Sequence, residues 1–522
     1  MIGILFSNAA SEAGRYVTAA VRRSVSSTQA QAVSLSALRS SALDMVVAIA
    51  PPDEWGEALL GWLRARPRKL MLFGRVPAAL APYFGCRPAE LPTAWPTMCR
   101  SEPAPSGEIR QSSGEVLYGA RARLLGADTW RRPMERFDFT DEWNNLGYGA
   151  IRGDGSIWGL TQPVHVAAEV ELAALMVDDV PVCSYAALAD IEAASVLWVN
   201  REVGPCDSFE WRIVEAFISG YRHDVLPCCP VLSEIPAGFD AAITSRLDCD
   251  EDVESARPLW RAYQRLGVPF TLAVHTRNLD DPANHQILRE LLADGGAVLS
   301  HTATHAPNWG GSYEAALQEG RQSAARIQSV TGRAVRYAVS PFHQSPPYAL
   351  RGLADAGYDG CVGGIIRNDP EFVLARGGAL ADVPEGFVGH SQQCMLHGDC
   401  MLRDGDALAV FKQAFDLAYT TRTLFGYLDH PFSPRYQYGW PDESTRVKAH
   451  EQFIAYMRAN ARNPLFMHEE AALDFVRFKA ATRVVGTRDA FRIDLPREDA
   501  MEFSLALEYR GALLAADSGM LL

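Results

Sequence analysis

The sequence predicts an α/β protein: a distorted (β/α) barrel, preceded by a doubly wound α/β unit and followed by a small β appendage. Three observations carry this expectation. The chain has 522 residues, too many for one ordinary hydrophobic core. Short apolar runs alternate with amphipathic stretches near the N-terminus and again from about residue 241 to 463. The residues richest in chemistry follow apolar runs directly, where parallel strands would end.

Within residues 1–110 the apolar runs 2–6, 45–50 and 69–73 flank helix-like stretches at 12–23 and 54–64. This is βαβ rhythm of Rossmann or flavodoxin type. No glycine-rich phosphate loop follows these strands, so the unit carries no nucleotide expectation and is read as an accessory domain. Residues 111–235 form a connecting, β-rich layer. Pro103, Pro105 and Gly107 lead into it, and Gly153-Asp154-Gly155 marks a hairpin. Its rings, Trp130, Phe137, Phe139, Trp143 and Tyr148, are expected to pack between domains.

Residues 236–480 hold the repeated strand-helix units. Strands are expected at 241–247, 269–275, 297–300, 335–340, 359–362 and 425–429, with helices at 253–266, 287–293, 312–331 and 349–356. Gly267, Gly332 and Gly357 stand where left-handed caps would end three of these helices. Past 481 the stretch 490–510 alternates apolar and polar residues, which suits the β appendage of residues 481–522.

Hydrophobic residues make up 48% and charged residues 21%, ordinary values for a globular enzyme. A net charge of −14 and the lack of long basic runs disfavour nucleic acid as a partner. The ten cysteines show no CxxC pair and no regular spacing, which suits buried thiols in a reducing compartment. Residues 1–6 lack a basic flank and read as a first strand, and no apolar run approaches transmembrane length. Cytoplasmic localisation is the expectation.

The chemistry concentrates in Asp248-Cys249-Asp250, His301-Thr302-Ala303-Thr304-His305 and Leu428-Asp429-His430. Two histidines four residues apart can turn toward one cation, and a carboxylate from another strand end completes a three-ligand set with an open position for water. A second aspartate and a distant histidine remain as base and acid. No G-x-S-x-G elbow or cysteine-histidine motif is present, so covalent catalysis is disfavoured.

These motifs resemble the NodB-homology polysaccharide deacetylases, carbohydrate esterase family four, over about residues 240–465. His301 to His305 matches the histidine motif, the fragment from Gly426 to Pro431 resembles the closing motif, and Leu353 to Tyr358 is similar to the segment after the third. The resemblance implies that Asp250, His301 and His305 hold one divalent metal, with zinc the default and cobalt or nickel tolerated. It further implies Asp248 as general base, His430 as general acid and Leu428 as the pocket wall for the acetyl methyl group.

Val339 stands where the third motif usually has an arginine, two residues before Pro341. The nearest arginine, Arg336, is therefore the candidate to tune the base, and Pro341 and His343 are candidates for substrate contact. Asp252 is a rival metal ligand by strand alternation. His275 is a candidate supporting group. No tryptophan-aspartate fourth motif is visible; His390 and His397, in a polar loop, could replace it, although solvated loop histidines are the expectation for both.

The function so implied is metal-dependent removal of the N-acetyl group from an amino sugar during assembly of cell-surface polysaccharide or lipopolysaccharide O-antigen. The alternatives are a metal-independent cyclic-amide hydrolase on the same barrel and a non-catalytic carbohydrate-binding protein.

Overall fold

Two sheets with parallel cores organise the chain in the computed structural model, which describes residues 1–39, 43–91, 114–134, 155–205, 208–363, 376–487, 490–497 and 501–522. The first sheet contains β1 (Ile2–Phe6), β2 (Ala30–Val33), β3 (Met45–Ile49), β4 (Lys69–Phe73), β5 (Glu115–Tyr118), β6 (Arg131–Pro133), β7 (Glu171–Val177), β8 (Val180–Ile191) and β9 (Ala194–Val199). Their order is β2-β1-β3-β4-β9-β8-β7-β5-β6. β1 to β4 pair in parallel, and β9 joins β4 in parallel before the sheet turns antiparallel. One sheet therefore spans the accessory and connecting stretches.

Helix α1 (Ser11–Val25) covers one face of this sheet, turning Val17, Ala20, Val21 and Val25 inward at helical spacing. Gly14 permits the close approach: a Cβ there would lie 2.4 Å from the Phe6 ring. Helix α2 (Gly56–Arg64) buries Leu59, Leu60 and Leu63 against the other face. Trp130 packs edge-on against Tyr118, while Pro103, Pro105, Gly107, Phe137, Phe139, Trp143, Tyr148, Gly153 and Asp154 lie outside the described residues.

After α3 (Trp211–Ser219) comes the second sheet, built from β10 (Ala241–Cys249), β11 (Thr271–Val274), β12 (Ala297–Ser300), β13 (Tyr337–Val339), β14 (Gly360–Gly363), β15 (Val388–Ser391), β16 (Cys394–Met395), β17 (Phe425–Asp429) and β18 (Pro464–Met467). The path runs β15-β14-β13-β12-β11-β10-β17-β16, every one of these pairings parallel, and β18 pairs with the first half of β10. β15 and β16 are separated only by Gln392 and Gln393, yet β15 pairs with β14 and β16 with β17. One irregular segment thus reaches both ends of the path. The expected polar loop around His390 and His397 is instead buried strand and turn, with both histidines inside.

Helices α4 (Arg257–Leu266), α5 (His285–Ala293), α6 (Tyr313–Thr331), α7 (Pro347–Asp355), α8 (Ala409–Thr421), α9 (Glu443–Asn460) and α10 (Glu469–Ala481) alternate with these strands. Gly267 and Gly332 adopt the expected left-handed caps. Two hairpins end the chain: Arg483–Gly486 with Phe491–Asp494, and Ala506–Tyr509 with Ala512–Ala515, the latter extended by Val231–Leu232.

A buried charge network joins the two sheets. Arg376 forks onto Glu215 of α3 at 2.8 and 3.1 Å and reaches Thr421 O at 2.8 Å. Glu234 accepts from the backbone N–H groups of Gly377 and Leu424 at 2.6 and 3.0 Å, with Lys479 Nζ 4.0 Å away. Two buried cations thus face two buried carboxylates, the arrangement that offsets desolvation. The eight described cysteines are free thiols, seven of them buried. Among the described residues no helix is long and apolar enough to cross a membrane.

Candidate metal and catalytic site

β10 carries Arg246, Asp248 and, one residue past its end, Asp250, so alternation turns all three toward one side. Two strands along the path, β12 delivers His301 directly after Ser300, and the following loop returns His305 to it. The turn is held by Thr302 Oγ1, which accepts from His305 N at 2.8 Å, and by Glu319 of α6, which accepts from Ala303 N and Thr304 N at 2.9 Å each. Thr302, His305, Asn308, Trp309, Phe342 and His343 all have φ between 50 and 68°. Non-glycine residues in this region each store on the order of 1–3 kcal/mol of strain, and such residues cluster at functional sites.

The Nε2 atoms of His301 and His305 lie 3.0 Å apart and 3.2 and 3.3 Å from Asp250 Oδ1. That carboxylate oxygen is buried with no hydrogen-bond partner. Ligand atoms around a tetrahedral zinc ion at bond lengths of about 2.0–2.1 Å lie about 3.3–3.4 Å apart, so the triangle fits a divalent cation. His301 Nδ1 faces Val339 O at 3.1 Å, which assigns its proton there and leaves Nε2 as the donor atom. His275 Nδ1 meets Asp250 O at 2.9 Å and supports the same residue from behind. Asp252 does not join the set: its carboxylate accepts from Ser255 N at 2.8 Å and caps the turn before α4.

Asp248 is held by a group that motif spacing did not reveal. Arg246 Nε donates to Asp248 Oδ1 at 2.7 Å and Nη2 to Oδ2 at 3.3 Å, while Nη1 holds Glu469 at 3.0 Å. Burial pushes the Asp248 carboxyl up, but Arg246, then His301 and His430, outweigh it and leave the group below its ordinary range. An arginine two residues before an aspartate in a strand shares its face, and that was the available signal. Arg336, the expected tuning group, is corrected here: it precedes β13 at the N-terminal end of the strands, where it pairs with Asp359 and Asp474 at 2.8 Å each.

His430 follows β17, with Nε2 3.4 Å from Asp250 Oδ2 and its ring stacked on Tyr438 at 4.0 Å. The cavity enclosed by these groups has a volume of about 260 Å³ and is also lined by Glu251, Phe342, His343, Met395 and Tyr436. Gln392, buried behind the lining, links two of the site's groups: Oε1 accepts from Arg246 at 3.2 Å and Nε2 donates to His343 Nδ1 at 2.7 Å. Burial drives His343 down to about 3, so it faces the cavity as a neutral ring. Leu428 and Pro341 are buried in the cavity's supporting layer, and neither lines it; Met395, beside Leu428 in register, and Ser340 and Phe342, beside Pro341, do. His390 faces Leu424 O at 3.3 Å, away from the cavity.

A polysaccharide deacetylase family model matches residues 248–361. No curated protein matches the chain significantly. Among solved structures, the chain is similar to the carbohydrate deacetylase Agd3, with 10% identity over 97% of this chain and 92% of that one and a TM-score of 0.39. It is similar to a family 4 acetyl xylan esterase from Clostridium thermocellum in complex with a cobalt ion, with 14% identity over 45% and 90% and a TM-score of 0.28. The Xyl-CE4 domain of a xylanase from the hindgut metagenome of Trinervitermes trinervoides gives 14% identity over 45% and 90%, with a TM-score of 0.30. These superpositions are shallow, and the family match is the stronger relation. The matched segment holds Asp248, Asp250, His301 and His305, and over residues 248–361 the chain is similar to the polysaccharide deacetylases.

Proposed function

We propose that the site hydrolyses the N-acetyl group of an amino sugar with one divalent metal ion held by Asp250, His301 and His305. The observation that carries this reading is the partnerless Asp250 Oδ1 facing two imidazole Nε2 atoms at 3.2 and 3.3 Å. Zinc suits this donor set best, with cobalt and nickel compatible. When bound, such an ion lowers the pKa of a coordinated water toward neutrality and polarises the acetyl carbonyl.

The chain's own residues supply the proton transfers. Asp248, kept ionised by the Arg246 fork, takes a proton from the attacking water as the new C–O bond forms. His430 gives a proton from Nε2 to the sugar nitrogen as the C–N bond breaks, so acetate and a free amine leave. Neutral His343 and the ring of Phe342 line the sugar side of the cavity, where polar and stacking contacts suit a hexose. We place the activity in assembly of cell-surface polysaccharide or lipopolysaccharide O-antigen, in the cytoplasm, where free thiols stay reduced.

The test is metal content of the purified chain beside acetate release from a panel of acetylated amino sugars. About one zinc, cobalt or nickel per chain, with release lost to chelation and restored by the metal, is the expected result. Full turnover after chelation, or full turnover by Asp248→Asn, would overturn the mechanism.

A further inference from the structure

Behind His430, residues 396–400 and 436–440 press together backbone against backbone. Gly398 N donates to Tyr438 O at 3.0 Å, and a Cβ on Gly398 would fall 2.3 Å from Gly439 C. This contact sets His397, which is fully buried, against the rear edge of the His430 ring: His397 Nε2 lies 2.8 Å from His430 Nδ1. Tyr438 closes the other side by stacking on His430. Beside the same His397 nitrogen stands Asp429, with Oδ1 3.7 Å from His397 Nε2.

Asp429 is fixed from several elements. Its Oδ2 accepts from Arg446 Nε at 2.7 Å and meets His450 Nε2 at 3.0 Å, while Oδ1 accepts from Trp440 Nε1 at 3.3 Å. His450 Nδ1 is in turn 2.9 Å from the Tyr263 hydroxyl, which lies 2.8 Å from that of Tyr427. The array is buried throughout, so each member restricts the next.

We propose that His397 is a positioning residue for deacetylation: its Nε2 accepts a hydrogen bond from His430 Nδ1, which fixes the His430 ring with Nε2 facing the metal ligands and substrate. The ring nitrogen that meets the buried partner decides which nitrogen meets the substrate. Here that partner is an imidazole, with the carboxylate of Asp429 beside the contact. A cation shared by His397, Asp429 and His430 is the competing account of the same cluster. The hydrogen bond fits better, because Asp429 already directs both oxygens to Arg446, His450 and Trp440, and 2.8 Å is an ordinary N–H···N separation.

This inference rests on the deacetylase reading, and its test separates the two. His397→Phe keeps the ring volume and removes the acceptor, whereas His397→Gln can set an amide oxygen near the former Nε2. Both variants of the full chain are assayed for kcat, KM, metal content and thermal midpoint, and the ring nitrogens of ¹⁵N-histidine-labelled protein are recorded. His397→Phe is expected to lower kcat by about a hundredfold with KM and metal content unchanged, and His397→Gln to recover to within about tenfold of the parent. The His430 Nδ1 signal should be that of a protonated nitrogen in the parent and shift in His397→Phe.

Parent-like kcat in His397→Phe, a Gln variant as slow as the Phe variant, or an unprotonated His430 Nδ1 would overturn the proposal. So would a second metal equivalent that His397→Phe loses, since that would make the cluster a metal site. A parent that releases no acetate from any sugar overturns the deacetylase reading alone, and the nitrogen spectrum still decides the hydrogen bond between His430 and His397.

Discussion

Arg246 and Asp248 form a forked ion pair within a single strand, two residues apart on one face, with the guanidinium also reaching Glu469 and Gln392. Asp248 is thus oriented by Arg246 of its own strand, and Glu469 and Gln392 converge on that arginine.

Replacing Arg246 with methionine leaves Asp248 and Glu469 as buried carboxylates with no cation between them. Breaking a buried pair in this way costs about 3–5 kcal/mol, so denaturant unfolding should report a loss of that size, with deacetylation lowered by about a hundredfold or more. Arg246→Lys keeps the charge but not the fork and should recover only part of both. Parent-like activity in Arg246→Met would remove the arginine from the catalytic account.

Metal retention separates Asp250 from its neighbour Asp252. Elemental analysis should find the metal gone from a His301→Ala, His305→Ala double variant and from Asp250→Ala. Asp252→Ala should keep it and lose only a cap worth about 1 kcal/mol.

The Gly398–Gly439 contact admits no side chain. Gly439 has φ 75°, and a Cβ there would lie 2.2 Å from Asp399 N. Gly439→Ala should therefore lower the thermal midpoint and reduce kcat more than it changes KM, since the displaced backbone carries Tyr438 and touches the segment after His397. An unchanged midpoint would show that the two loops can separate freely.

Lys69, fully buried at the start of β4 with Nζ 3.4 Å from Cys228 Sγ, sets a pH dependence in the first sheet. Burial, partly countered by Cys228 and Cys229, lowers its ammonium from 10.5 to about 8. The unfolded chain then binds more protons between about pH 8 and 10.5, so stability rises with pH across that window, and the cost of the charge is fully present below it. Lys69→Met should stabilise the protein by about 3 kcal/mol at pH 7, a gain that shrinks toward pH 10.5. Chemical denaturation at pH 7 and 10 reads this directly; an equal gain at both would assign it to packing.

The strands that read most clearly in the sequence are those whose side chains only pack. The stretches 297–300 and 425–429 have the expected bounds because their apolar runs stop where the site begins. The segment from β15 to His397 reads as a loop in the sequence because Ser391, Gln392 and Gln393 are polar. In the structure these residues are buried and spend their polar groups on one another, on Gly426 and on the site, so hydropathy gave no sign of a strand. Arg246 gives no motif signal, because a charged residue in an apolar run looks like an interruption. Spacing from Pro341 points to Arg336 because it ranks an arginine by distance along the chain, whereas β13 sends residues before and after it to opposite ends of the sheet.

The network in which Arg376 meets Glu215, and Lys479 and Gly377 meet Glu234, has a consequence for how such a protein can be cut or recombined. A fragment beginning at residue 236 would keep both cations and discard both anions, exposing a charged seam along Arg376 and Lys479 where a closed surface had been. The second sheet is therefore not a transplantable cassette: cutting it free leaves Arg376 and Lys479 without the carboxylates that face them.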